Sequence, residues 1–203
     1  MAEKTATARP AGAPEGRPIS LTPAGRKVLD AAAELFYREG IHAVGVDAVS
    51  AAAGVTKRTL YACFGSKERL VAAYLAERDE RWRTWLTAWV DERATTPTER
   101  ATATFEALGD WLEREGRRGC AFVNALAEIP AADHPGHRVV VEHKRWMLGY
   151  FTELASAAGS PDPAATGAVL LLLHEGVTVT AGTGVLSEAA THARNAASAL
   201  FKA

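Results

Sequence analysis

Residues 54 to 67 read Gly-Val-Thr-Lys-Arg-Thr-Leu-Tyr-Ala-Cys-Phe-Gly-Ser-Lys, and they hold the chain's most specific chemistry. Thr56, Lys57, Arg58, Thr59 and Tyr61 stand on the outward side at the start of a short helix. A recognition helix presents its N-terminal residues to the major groove. Lys and Arg can donate there to guanine O6 and N7, and Thr hydroxyls can bond phosphate or base. The inward positions are Val49, Ala53, Val55, Leu60 and Cys63, with small Ser50 where two backbones approach and Gly54 in the turn. Residues 46 to 64 thus meet the packing needs of a helix-turn-helix, a pattern that an αα-corner without a DNA role would share. Charge favours the first reading: Arg17 to Lys67 holds seven Lys/Arg against four Asp/Glu, whereas residues 81 to 203 net −2.

A second set of residues could bind a small molecule. Trp82, Trp85 and Trp89 recur at i, i+3 and i+7, and Phe105, Trp111, Phe122 and Trp146 add further aromatic surface. Such a stripe is either core or the wall of an apolar pocket. Asn124, His143, His174 and Glu175 interrupt apolar runs and are the candidates to orient a ligand's polar atoms, or are satisfied buried groups. Asp133, His134, His137 and His143 have weak spacing for a metal, so none is expected. Cys63 falls at an inward position of the turn motif. Neither it nor Cys120 has a nearby His to make it a nucleophile, although thiol-based sensing by Cys120 stays open. No cofactor is expected.

The elements that must carry these residues are all helical by apolar spacing and by capping signals. Pro23 opens a helix with Val28, Leu29, Ala32, Leu35 and Phe36 on one face, and Gly40 stops it. A second helix runs between Gly45 and Gly54, and Thr56 caps a third that Gly65 ends. Ser66 caps a long fourth to about Arg93. Thr96-Pro97-Thr98-Glu99 is a capping box with Pro at the first helical position, and Gly116 ends the fifth helix. Cys120 to Ile129 forms a sixth, closed by Pro130. Asp133-His134-Pro135 starts a seventh to about Ala158. Asp162-Pro163 starts an eighth ending near Gly182 to Gly184, and Ser187 caps a ninth through Phe201. Residues 1 to 18, with five Ala, three Pro and two Gly, read as a flexible arm.

Composition sets the outer limits. The 203 residues are 48% apolar and 23% charged with a formal charge of −1, so affinity for nucleic acid must come from a local patch. No run reaches the ~18–20 apolar residues of a membrane span. Ala168 to Leu173 is stopped by His174-Glu175, and the N-terminus has no signal-peptide core. Two cysteines make no disulfide scaffold. The expectation is a cytoplasmic protein without membrane contact.

Residues 26 to 70, and above all Leu60-Tyr61, Phe64, Ser66-Lys67-Glu68 and Leu70, resemble the DNA-binding domain of TetR-type transcriptional regulators. Gly119 to Ala125, Asp133-His-Pro and His143-Lys are similar to one branch of that family's C-terminal domains. The resemblance implies that Lys57 and Arg58 read base edges and that Thr56, Thr59 and Tyr61 hold the backbone. Lys67, with the free N–H groups opening the fourth helix, would grip a phosphate. Ala62-Cys63 and Gly45-Val46 depart from the family pattern, where an aromatic or His pair and hydroxyl residues are usual.

The resulting expectation is an all-α chain of about nine helices: the arm, a helix-turn-helix DNA-binding domain over 19–65, and a ligand-binding and dimerisation domain over 66–203. It would bind a pseudo-palindromic double-stranded operator as a homodimer through its last two helices, and a small apolar or aromatic effector would release it. Small residues on those helices, Ala164 and Ala168 on one and Ala189, Ala193, Ala196 and Ala197 on the other, allow close helix pairing. An all-helical enzyme or small-molecule-binding module using the Trp-lined cavity is the rival, but no nucleophile–base pair or phosphate-binding Gly loop supports catalysis.

Overall fold

The computed structural model describes residues 21–116, 118–129 and 131–202. The expected N-terminal arm and the Pro130 stop lie outside them. Among the described residues there are nine α-helices and no strand: α1 (Pro23–Glu39), α2 (Val46–Ala52), α3 (Lys57–Phe64), α4 (Lys67–Arg93), α5 (Pro97–Glu115), α6 (Ala121–Glu128), α7 (Pro135–Ala157), α8 (Pro163–Thr183) and α9 (Ala189–Leu200).

Most helix starts are fixed by side chains that satisfy free backbone N–H groups. Thr22, Thr56, Ser66 and Asp162 accept from the N–H groups of Gly25, Thr59, Arg69 and Ala165. The Thr96–Glu99 capping box forms in both directions. His134 caps α7 through its ring, Nδ1 accepting from Gly136 N. One expected cap is corrected: Ser187 lies in the turn before α9, whose N-cap is Glu188 with no side-chain bond. That helix is held by packing, because Ala189, Ala193 and Ala197 are buried in the core shared with α5. They therefore cannot form the outward dimer face expected of them. The outward apolar residues of α8 are Val169, Leu172 and Val179.

The core divides into two clusters. One joins α1, α2, α3 and the first turns of α4 to α6, with Leu60, Leu70 and Val28 fully buried and Phe122 and Ala125 contributed by α6. Burying one such side chain is worth ~1.5–3 kcal/mol. The other joins the far half of α4 to α5, α7, α8 and α9 around Leu86, Phe105, Met147 and Phe151. Helix α4 runs through both. At 27 residues it is about 40 Å long.

α8 is the one described helix long and apolar enough to cross a membrane by length and composition, with a mean hydropathy of 1.4 in its most apolar window. It packs against α7 and carries a buried polar cluster at its midpoint, so its apolar character serves the bundle and an outward face.

Candidate nucleic-acid interface and ligand cavity

Helices α2 and α3 meet through buried Val49, Ser50 and Leu60, and Gly54 turns between them at φ +64°. A side chain rarely adopts that conformation, which accounts for Gly at this position. Thr56 caps α3, its Oγ1 accepting from Thr59 N at 3.2 Å and lying 3.0 Å from Thr59 Oγ1. Lys57, Arg58 and Tyr61 are exposed and Thr59 is half-buried, so four of the expected contact residues project from one helix start. Arg58 and Thr59 also line a surface cleft with Thr22 and Gly25 at the start of α1. Lys67 is half-buried on the first turn of α4, its ammonium 5.9 Å from the centroid of Phe36. Gly45 caps α2 without a side-chain bond, as its type dictates.

One partner escaped sequence reasoning. Lys57 Nζ lies 2.6 Å from Asp47 Oδ1 across the turn, with both side chains more than half exposed. Nothing in a ten-residue separation signals that pairing.

A small space of about 30 Å³ lies where the two core clusters meet. Trp82 and Leu108 line it from one cluster, and Cys120 and Phe122 from the side of the other. Trp111, His143 and His174 complete the expected wall residues. The remaining six are placed elsewhere. Phe105 is fully buried and stacks on Phe151. Trp89 donates from Nε1 to Asp110 Oδ2 at 2.9 Å. Trp85 lies under the Arg114 guanidinium, and Trp146 stacks on Tyr150 beneath Arg83. Asn124 donates to the Arg118 carbonyl. Glu175 does not touch the cavity but pairs with His174, which does.

The polar groups around this space form two networks. His143 is stacked on Phe122 with centroids 3.8 Å apart, and its Nδ1 is 2.8 Å from Asp79 Oδ1. Burial lowers the His143 pKa, and the Asp79 bond offsets this only in part. Burial alone would raise Asp79, but bonds from His143 and Arg83 outweigh it and hold the carboxyl down. His143 is therefore neutral and donates to a carboxylate. In the second network Lys144 Nζ donates to both Glu175 oxygens at 2.8 Å. Burial opposes ionisation of Glu175, yet the His174 and Lys144 contacts prevail and bring it down to about 2.

Residues without a sequence signal connect cavity to DNA-binding head. Arg78, buried on α4, donates to the Glu115 carbonyl and lies 4.3 Å from the Tyr37 ring centroid and 5.8 Å from that of Trp111. Its run, Glu77-Arg-Asp-Glu-Arg81, is charged at every position. The Tyr37 hydroxyl donates to Gly119 O and accepts from Arg118 N, each at 3.0 Å. Arg118 also donates to the Tyr37 and Arg38 carbonyls at the end of α1. Gly119, at φ +72°, leaves only 3.2 Å between an added Cβ and Thr178 O on α8. Glu128 accepts from His42 N at 2.7 Å. Asp133, His134, His137 and His143 are not brought together, and no three His, Cys, Asp or Glu converge among the described residues.

An exposed cationic recognition helix on an all-helical body with a small cavity defines the class of helix-turn-helix regulators. Residues 28–74 match the model of the bacterial regulatory proteins of the tetR family. The structure superposes on a TetR-family transcriptional regulator from Streptomyces coelicolor with a TM-score of 0.81 and 34% identity, covering 88% of this chain and 94% of that one. A tetR transcriptional regulator from Streptomyces avermitilis gives a TM-score of 0.69 and 31% identity over 87% of this chain and 98% of the other. The transcriptional activator FasR of Mycolicibacterium smegmatis is 32% identical over 120 residues, 57% of this chain and 53% of FasR. The chain thus spans about half the length of that relative. It belongs to the TetR family of transcriptional regulators.

Proposed function

We propose that this TetR-family regulator is a cytoplasmic, ligand-released repressor that binds a pseudo-palindromic operator as a homodimer and is not an enzyme. Residues 19–65 are its DNA-binding head and 66–203 its sensing and pairing body. Arg78 carries the reading: it lines the cavity and at the same time covers Tyr37 of the head, so occupancy of one bears on the position of the other. Lys57 and Arg58 read bases, Thr56, Thr59 and Tyr61 hold the backbone, and Lys67 grips a phosphate. Trp82, Trp111, Phe122, His143 and His174 hold the effector.

Pairing is supported by α8, which is strongly apolar although only 28% of its most apolar window is buried. Leu172 is 70% and Val179 52% exposed, and a two-fold mate would cover both. Two heads would then lie about one major-groove turn apart or a multiple of it.

The test is fluorescence anisotropy with random duplex and with selected operator fragments at two salt concentrations, plus light scattering. A dimer whose affinity falls steeply with salt and is lost on adding effector is expected. Effector that strengthens operator binding would overturn ligand release, and transcription raised by the bound protein would give it the activator role that FasR's name carries. A monomer that still binds a palindrome would end the dimer reading.

A further inference from the structure

Within that reading, the geometry points to the chemistry of the effector: an uncharged, mostly apolar molecule bearing one hydrogen-bond donor, a hydroxyl or N–H, directed at His174 Nε2. The proposal rests on the cavity being the effector site, and its own content is the donor.

His174 is 3% exposed, and its Nε2 is buried without any hydrogen-bond partner. Leaving such an atom unpaired is costly, and an unpaired buried group in a native structure calls for an explanation. The other ring nitrogen determines what the free one is. Nδ1 lies 3.3 Å from Glu175 Oε1, and that carboxylate, held by two bonds from Lys144, can only accept. Nδ1 therefore carries the proton. Burial keeps the ring neutral by pushing His174 below its ordinary value, with Glu175 restoring only part. Nε2 is then a bare lone pair. A hydroxyl or N–H satisfies it, whereas a carboxylate or ether oxygen placed there meets lone pair with lone pair.

The rest of the wall specifies an apolar body. Trp82 and Trp111 meet edge to face with centroids 5.4 Å apart, and Trp82 lies 5.8 Å from the His174 ring. Trp82 Nε1 is already bonded to Met147 Sδ, so it offers the ligand a ring and no donor. His143 likewise gives its one N–H to Asp79 through Nδ1. Size is supplied by movement. The space of about 30 Å³ is too small for such a molecule as it stands. Arg78 separates it from a groove of about 450 Å³ between α1 and α4, whose wall it also forms. Arg78 has no carboxylate partner among the described ion pairs, and only one carbonyl bond and two ring contacts hold it. Turning it into the groove joins the two spaces and takes it off Tyr37.

The experiment titrates the full-length protein by calorimetry with 4-ethylphenol, 4-ethylanisole and 4-ethylbenzoate, and repeats it with H174F and H174Q. Operator release by the same three compounds is followed separately. The expected result is that 4-ethylphenol binds at least tenfold more tightly than 4-ethylanisole, about 1.4 kcal/mol, and that benzoate binds weakest. In H174F the phenol and ether should come within twofold of each other. H174Q, whose amide both donates and accepts, should also narrow the gap and serves if H174F does not fold. Phenol and ether of equal affinity in wild type, both releasing DNA, would sink the donor and leave the effector site standing. Donor-selective binding that leaves operator affinity unchanged would keep the ligand chemistry and end the sensing role. Tightest binding by the benzoate would make Arg78 the anchor, and no binding by any of the three would assign Nε2 to a buried water; either overturns the proposal.

Discussion

The Asp47–Lys57 pair makes the proposed recognition helix self-inhibited, and the Asp47→Asn substitution should show it. In the free protein Lys57 Nζ rests 2.6 Å from Asp47 Oδ1, with side chains 56% and 73% exposed. Such an exposed pair is worth ~0.2–1 kcal/mol, and Lys57 gives this up when it turns to DNA. The carboxylate then stays beside the phosphates. At a separation of about 7 Å in water, one unit-charge repulsion costs ~0.6 kcal/mol before screening. A Debye length of ~8 Å in physiological salt cuts that by more than half. The total is about 1 kcal/mol, so D47N should tighten DNA binding about fivefold. In a Lys57→Ala background only the repulsion remains, and the gain should shrink to about 1.5-fold. Asp47 also favours the first turn of α2, worth ~0.3–1 kcal/mol, so D47N should lower Tm by ~1–3 °C even as it binds more tightly. Anisotropy titrations of wild type, D47N, K57A and the double variant, at 0.1 and 0.3 M salt, measure all four corners. An unchanged or weaker D47N with normal folding would refute Lys57 as a DNA contact, and an equal gain in both backgrounds would refute the pairing.

Three further outcomes are expected. Tyr37→Phe removes the hydroxyl shared by Gly119 O and Arg118 N; it should cost ~1 kcal/mol in thermal melts, leave ligand affinity intact and weaken ligand-driven operator release by several-fold. Gly167→Ala places a Cβ 2.5 Å from Thr152 Oγ1 and 2.9 Å from its backbone. Overpacking of ~1–3 kcal/mol should outweigh a helix-propensity gain of up to ~1 kcal/mol and lower Tm. Gly149→Ala, with nothing within 4 Å, should raise it. Because burial depresses His143 and His174 below 6.5, the unfolded chain binds their protons first. Tm should therefore be level above about pH 7 and fall as pH drops below 6.5, less steeply in H174F. Glu175, at about 2, should add a second loss below about pH 4.5.

The helices were legible because their boundaries carry a mechanism that acts within four residues: Thr56, Ser66 and the Thr96–Glu99 box bond the N–H groups that their spacing implies. The start of α9 was not, since Glu188 caps nothing and the helix is placed by Ala193 and Ala197 against α5. Spacing misled most over the tryptophans. Trp82 and Trp89 share a face, but seven residues separate them by ~10.5 Å along the axis, so Trp89 reaches Asp110 while Trp82 reaches the cavity. Phe105 and Trp111 are six residues apart, ~240° around α5, so one stacks in the core and the other lines the cavity. The junction residues left no trace at all, because Tyr37 and Gly119 meet across 82 positions.

The position of the cavity bears on how little ligand energy regulation would need. Enlarging a space inside one well-packed cluster breaks that cluster's own contacts, whereas this space lies between two clusters. Phe122 belongs to the head-side cluster and forms a cavity wall, and its stacking partner His143 is tied to α4 through Asp79. A molecule entering beside Phe122 therefore separates α6 from α4 without opening either core. α6 in turn holds the head through Glu128 and His42 N, while the loop before it grips the end of α1 through Arg118. On the proposed reading, the energy to be overcome is that of a few hydrogen bonds and the Arg78 ring contacts. At ~0.5–1.5 kcal/mol net for each bond, two of them come to the ~1–3 kcal/mol typical of allosteric coupling. The same contacts are absent from the buried face of α3, where Leu60 and Phe64 are sealed inside the head. In the proposed dimer the head would then shift as a unit, and the distance between two recognition helices would change while the geometry of each is preserved.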